Sequence, residues 1–150
     1  MPSGVTFSNA GVLSGTPGSG SAGTYTVCIN ATNVAGTATP QKFTLTIGKF
    51  TPTVTVAGSL NNTTLTFTVT VTGTDGITPT GTPTWTIVST PGGSVSCSSS
   101  TALSGFGSVA TATCTYQNAK GTKSYKATAN YLTDNNYAAA SYTMLSGITG

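Results

Sequence analysis

Histidine, arginine and glutamate are absent from this 150-residue chain, whose side chains charged at neutral pH are five lysines and two aspartates. Proton transfer in catalysis relies on histidine, carboxylate, lysine, tyrosine or cysteine groups held at reacting atoms, so the composition argues against an enzyme. A nucleic-acid reader wants a broad basic face with arginine. The net charge of +3 instead comes from lysines scattered at 42, 49, 120, 123 and 126, the last three reading as a solvated turn, AKGTKSYK. No apolar run approaches the roughly 20 residues of a membrane-spanning helix, so no membrane span is expected. The start, Met1-Pro2-Ser3-Gly4, lacks the basic and apolar regions of a signal peptide, so a signal for export is expected outside this chain. No segment carries helical periodicity.

What the chain has is alternation. Residues 63–73 read TTLTFTVTVTG, with Leu65, Phe67, Val69 and Val71 on one parity and threonine on the other. A period of two marks a half-buried antiparallel strand. The pattern returns at Tyr25–Ala31, Phe43–Ile47, Val54–Val56 and Tyr125–Tyr131. Threonine makes up roughly a fifth of the chain, well above ordinary usage. Being β-branched it suits a pleated surface while keeping a hydroxyl for water. Sheet edges of soluble proteins are commonly guarded by charge or proline. Guards are scarce here, which points to lateral or end-to-end association, or to a heavily hydrated or glycosylated surface. The sequons at Asn30, Asn61 and Asn62 matter where the source glycosylates such sites.

Turn signals at Thr74-Asp75-Gly76, Pro79–Pro83, Pro91-Gly92-Gly93, Gly105–Gly107, Ala119-Lys120-Gly121 and Asp134–Asn136 separate short strands. That spacing predicts an all-β antiparallel sandwich. The run MPSGVTFSNAGVLSGTPGSGSAGTYTVCINATNVAGTATPQKFTLTI resembles the C-terminal half of a bacterial Ig-like domain family with the pattern LPxGLxF…GxLSGTP…GTYxFxVxATN…G…xFTLTV. Met1 stands where the family has leucine. Residues 49–145 resemble a second bacterial Ig-like repeat family in TPTVTV, TLTFTVTVTG, PTGTPTWTI, a Cys…Cys pair and SYKATANYLTDNNYAAAS, with Thr133 in place of the glycine usual before the aspartate. The resemblance implies Ig-like sandwiches in tandem, at the surface of a cell or secreted from it, and implies no activity.

An Ig-like sandwich needs about seven strands in about 100 residues, and residues 1–48 supply three or four. The expected organisation is therefore half of an Ig-like domain at 1–48, a complete one at 49–145, and a connector at 146–150. SYTMLSGITG, residues 141–150, written ahead of Met1 resembles the approach to the first motif in whole family members. From this we expect one period of a longer repeat, or a subunit that completes its neighbour by strand donation. Tyr142, Met144 and Leu145 of one unit would lie beside Val5 and Phe7 of the next. An arbitrary boundary with disordered ends is the other reading.

Cys97 and Cys114 enclose 16 residues and sit in adjacent candidate strands at compatible parity. A disulfide between them would stabilise by roughly 3 kcal/mol in the chain-entropy model and imply an oxidising compartment; two free thiols are the alternative. Neither histidine nor CxxC spacing accompanies them, so no metal is expected. Cys28 falls on the outward parity of its strand, either pairing with another chain or covered by packing. Asp75 and Asp134 lie in turn contexts, where aspartate bonds its own backbone. They offer little to glycoside hydrolysis or to calcium, and neither suits an internal isopeptide bond. Trp85 shares the parity of Ile87 and is expected in the core. Its alternative role is a sugar-stacking strip with Tyr116, Tyr131 or Tyr137.

The sequence thus reads as a non-enzymatic extracellular module of a surface stalk, adhesin or fibre, without cofactor, whose partner is itself. A carbohydrate-binding accessory module that takes surface glycans is the alternative.

Overall fold

In a computed structural model that describes residues 1–149 the chain is all-β. No helix occurs among these residues, so none is long and apolar enough to cross a membrane. The chain divides into two compact units that meet after Lys49.

The first unit holds three separate antiparallel pairs. β1 (Val5–Phe7) pairs with β2 (Leu13–Gly15), β3 (Gly23–Ile29) with β6 (Gln41–Ile47), and the short β4 (Thr32–Asn33) with β5 (Gly36–Thr37). The last pair makes a small hairpin. Its turn is closed by the Asn33 side chain, which accepts the Ala35 N–H at 2.9 Å. In β3 and β6 the register sets Tyr25 against Leu45 and Val27 against Phe43. Opposed residues in an antiparallel pair share a face. Tyr25, Val27, Ile29, Phe43, Leu45 and Ile47 therefore line one side, and Thr24, Thr26, Cys28, Lys42, Thr44 and Thr46 the other.

The second unit is a sandwich. Its elements are β7 (Thr53–Asn61), β8 (Thr64–Thr72), β9 (Thr84–Thr90), β10 (Gly93–Val95), β11 (Ser99–Ser100), β12 (Ser104–Phe106), β13 (Val109–Tyr116), β14 (Ser124–Tyr131) and β15 (Ala140–Thr143). One sheet runs β11-β13-β8-β7 with β12 also on β13; the other runs β10-β9-β14-β15. β8 is the central strand of the core. Leu65, Phe67, Val69 and Val71 are wholly buried, while the alternate threonines face outward as the period of two requires. Ala110, Ala112 and Cys114 from β13 and Ala127, Ala129 and Tyr131 from β14 complete the interior. The small alanines leave room for the rings of Phe67, Trp85, Tyr125 and Tyr131. At Gly73 the reason for glycine is a close approach, because any Cβ there would collide with the Tyr137 ring.

Candidate functional site

The chain's only two carboxylate side chains meet at one tyrosine. Asp134 Oδ1 accepts the backbone N–H groups of Asn136 and Tyr137, each at 2.7 Å. Its Oδ2 accepts the Thr80 N–H at 3.0 Å and the Thr80 hydroxyl at 3.2 Å. The Tyr137 hydroxyl in turn donates to Asp75 and lies 2.7 Å from the Ile77 carbonyl oxygen. Asp75 also accepts the Ile77 N–H at 3.0 Å. Both aspartates close their own turns, and together they tie the β8–β9 loop to the β14–β15 turn.

The electrostatics follow from those bonds. Burial pulls the Asp134 pKa upward, but N–H donation from Tyr137, Thr80 and Asn136 and the Tyr131 hydroxyl outweigh it and hold the carboxyl below its ordinary value. Burial first, then the hydrogen bond and charge of Asp75, push the Tyr137 hydroxyl up to about 12. Burial and then Asp134 raise Tyr131 as well. Each shift favours the protonation state that the network uses at neutral pH. These are groups spent on tying loops.

Cys97 and Cys114 form a disulfide with their Cα atoms 5.6 Å apart. The sequence suggested two neighbouring strands of a hairpin. Cys97 instead lies between β10 and β11, where the chain crosses from one sheet to the other. The bond therefore pins the crossover to β13. Cys28 is a free, exposed thiol on β3, beside a groove of about 590 Å³ lined by Phe7, Ser8, Cys28, Ile29 and Asn30 among others.

The sugar-stacking strip is corrected by the structure. Tyr131 and Tyr137 are buried and present no ring face to a ligand, because the sandwich interior takes both. Trp85 is half-buried, its ring 6.5 Å from that of Phe67. Tyr116 packs against Tyr125 at 5.9 Å. The residues suggested for contact between chains are scattered. Tyr142 lies on β15, whose register with β14 pairs it with Ala129. Met144 is buried in the core, while Leu145 is 84 % exposed. The Ile148 N–H and C=O both bond Tyr125, at 2.8 and 2.9 Å, so part of the expected 146–150 connector joins the second unit. In the first unit Val5 is half-buried and Phe7 exposed.

The open feature of the first unit is the β3–β6 face. Val27 alone of its six apolar residues is buried, and the other five are half-buried. The β1–β2 hairpin approaches one end of it, where Val5, Leu13, Pro17, Leu45 and Ile47 line a cavity of about 200 Å³. A two-stranded sheet is marginal in water without a layer to cover it. Residues 1–48 match the family described as Putative Ig domain. The first unit is thus similar to an Ig-like domain over its length. The match ends within two residues of the boundary between the units, so the family covers the Ig-like unit and the open face belongs to it. No curated protein and no solved structure matches the chain. The resemblance suggests a structural or adhesion-type module.

Proposed function

We propose that the protein is a non-enzymatic structural module of an extracellular stalk, adhesin or fibre, and that a neighbouring copy or repeat completes its first unit head to tail. The contrast between the two units carries the reading. The second closes its core between two sheets and staples it with a disulfide. The first leaves Tyr25, Ile29, Phe43, Leu45 and Ile47 only half-buried on a sheet of two strands. Covering that face removes apolar surface from water at about 25 cal/mol per Å². The disulfide supports an oxidising compartment, and the sparse charge supports association of like chains. β15 pairs with β14 on one side and is the edge strand of its sheet.

Light scattering and electron microscopy of the full chain test this. We expect an oligomer ladder or filaments from the wild type and their loss in Leu45→Asp, which places a charge on the open face. Monomers of wild type at all concentrations, with a first unit that stays folded, would refute the completion of one unit by another.

A further inference from the structure

The polypeptide enters the second unit at one end and makes its last described strand contact at the other. Phe50 donates its N–H to the Asn136 carbonyl and accepts the Ala138 N–H, at 2.9 and 2.8 Å, which places the entry beside Tyr137. After β15 the Met144 N–H bonds the Ala127 carbonyl at 3.0 Å, and the next pairing is that of Ile148 with Tyr125. Tyr125 and Tyr131 are the first and last inward residues of β14, so the two ends lie about 20 Å apart. Between Met144 and Ile148 three residues face the single residue Lys126 of β14 and loop out as a bulge. Met144 is buried, and Ile148 packs against the same core cluster. Leu145 is left pointing to solvent, 84 % exposed, on a backbone bonded on both sides. The other strongly exposed apolar side chains of this unit, Phe106 and Leu132, are at the entry end. Phe106 opposes Val109, which opposes Thr72, and Leu132 follows Tyr131.

From this geometry, and resting on the head-to-tail reading above, we infer that Leu145 of one copy seats in the first unit of the next. Its seat is the cavity lined by Val5, Leu13, Pro17, Leu45 and Ile47. That cavity holds about 200 Å³. An apolar cavity of about 150 Å³ is large enough for benzene, so a leucine side chain fits. The lining carries no charged residue, and a charged side chain placed there would lose its water without gaining a partner. Copies in line bring the far end of one second unit to the first unit of the next. At that end Leu145 is the strongly exposed apolar side chain. Because its backbone is already fixed, docking costs it little freedom. Leu145 anchors the contact at the hairpin end of the open face, and the half-buried residues beside it supply the remaining area. The two sides of the contact are different surfaces, so every copy offers one knob and one cavity. Such a contact is heterologous and runs on from copy to copy unless the rotation closes a ring.

Sedimentation velocity of the full chain over a concentration series tests this with two variants and their mixture. Leu145→Ser removes the knob and keeps the cavity, whereas Leu45→Asp spoils the cavity and keeps the knob. Leu145 is exposed, and Leu45→Asp leaves the second unit that bears the knob untouched; melting followed by Trp85 fluorescence checks that unit in both. We expect the wild type to form a ladder and each variant alone to need at least a tenfold higher concentration to assemble. An equimolar mixture should form a one-to-one pair and stop there, because one intact knob and one intact cavity remain. Assembly kept by Leu145→Ser but lost in Leu45→Asp would overturn the seat of Leu145 and leave the completion of the first unit standing. A mixture that stays monomeric would do the same. Assembly kept by Leu45→Asp, or a wild type monomeric throughout, would overturn the seat and the head-to-tail reading together.

Discussion

Replacing Asp134 by alanine removes four acceptor bonds at once, and their burial sets what each is worth. The Tyr137 N–H belongs to a wholly buried residue, so water does not readily replace its partner. Leaving a buried donor unmade costs about 1–3 kcal/mol. The Asn136 N–H is part-buried and Thr80 exposed. These donors rehydrate, and their loss costs about 0.5–1 kcal/mol together. The sum is about 1.5–4 kcal/mol. For a unit of about 100 residues each kcal/mol moves Tm by roughly 4–8 °C, so Asp134→Ala should lower it by about 6–30 °C. Asp134→Asn keeps one acceptor oxygen and should lose about half as much. Trp85, the one tryptophan of the chain, reports on the second unit alone by fluorescence during heating. The same bonds fix the pH dependence. Because the folded carboxyl titrates below its ordinary value of 3.8, its contribution is complete above that value and lost as pH falls through the folded pKa. Wild type and Asp134→Ala should therefore converge in Tm as pH falls below the ordinary carboxyl range. A drop of less than 3 °C at neutral pH, or a difference that persists undiminished in acid, would refute the account of Asp134 as the tie between the two loops.

Two further outcomes follow from the same unit. Tyr137 ionises at about 12 in the folded protein against 10.0 ordinarily, so its contribution to stability is complete below pH 10.0 and is lost as pH rises through about 12. Alkaline unfolding followed by Trp85 fluorescence should show that fall, and Tyr137→Phe should reduce it while leaving the part that Tyr131 contributes, since burial and Asp134 raise that hydroxyl too. Reduction of Cys97–Cys114, with a sequence separation of 17, should cost roughly 3 kcal/mol; melting with and without reductant measures it, and an unchanged Tm would show that the crossover needs no staple.

The strands were legible because alternation is a local property. Residues 63–73 place four apolar side chains on one parity whatever the rest of the chain does, and β8 follows directly. The turns were legible for the same reason, since glycine, proline, asparagine and aspartate act through their own backbone. So was the change of character near Gly48, and the outward parity of Cys28. Parity could not say which strand would lie beside which, and a shift of one residue or a different strand order moves every side chain to another neighbour. Only the sandwich brings Asp75 to the hydroxyl of Tyr137, 62 positions away, and turns two isolated turn aspartates into one network. Closure of its layers buries Tyr131 and Tyr137, which the sequence left open as a ligand platform. Strand order also sets Phe106 opposite Val109 at the corner of a threonine face and claims Ala140–Thr143 for β14. The sequence by itself determined that this chain is β material of low charge, for hydrophobic period and turn chemistry need only near neighbours. The tertiary structure alone decided which surfaces are closed and which remain open, because burial depends on residues brought together from distant parts of the chain.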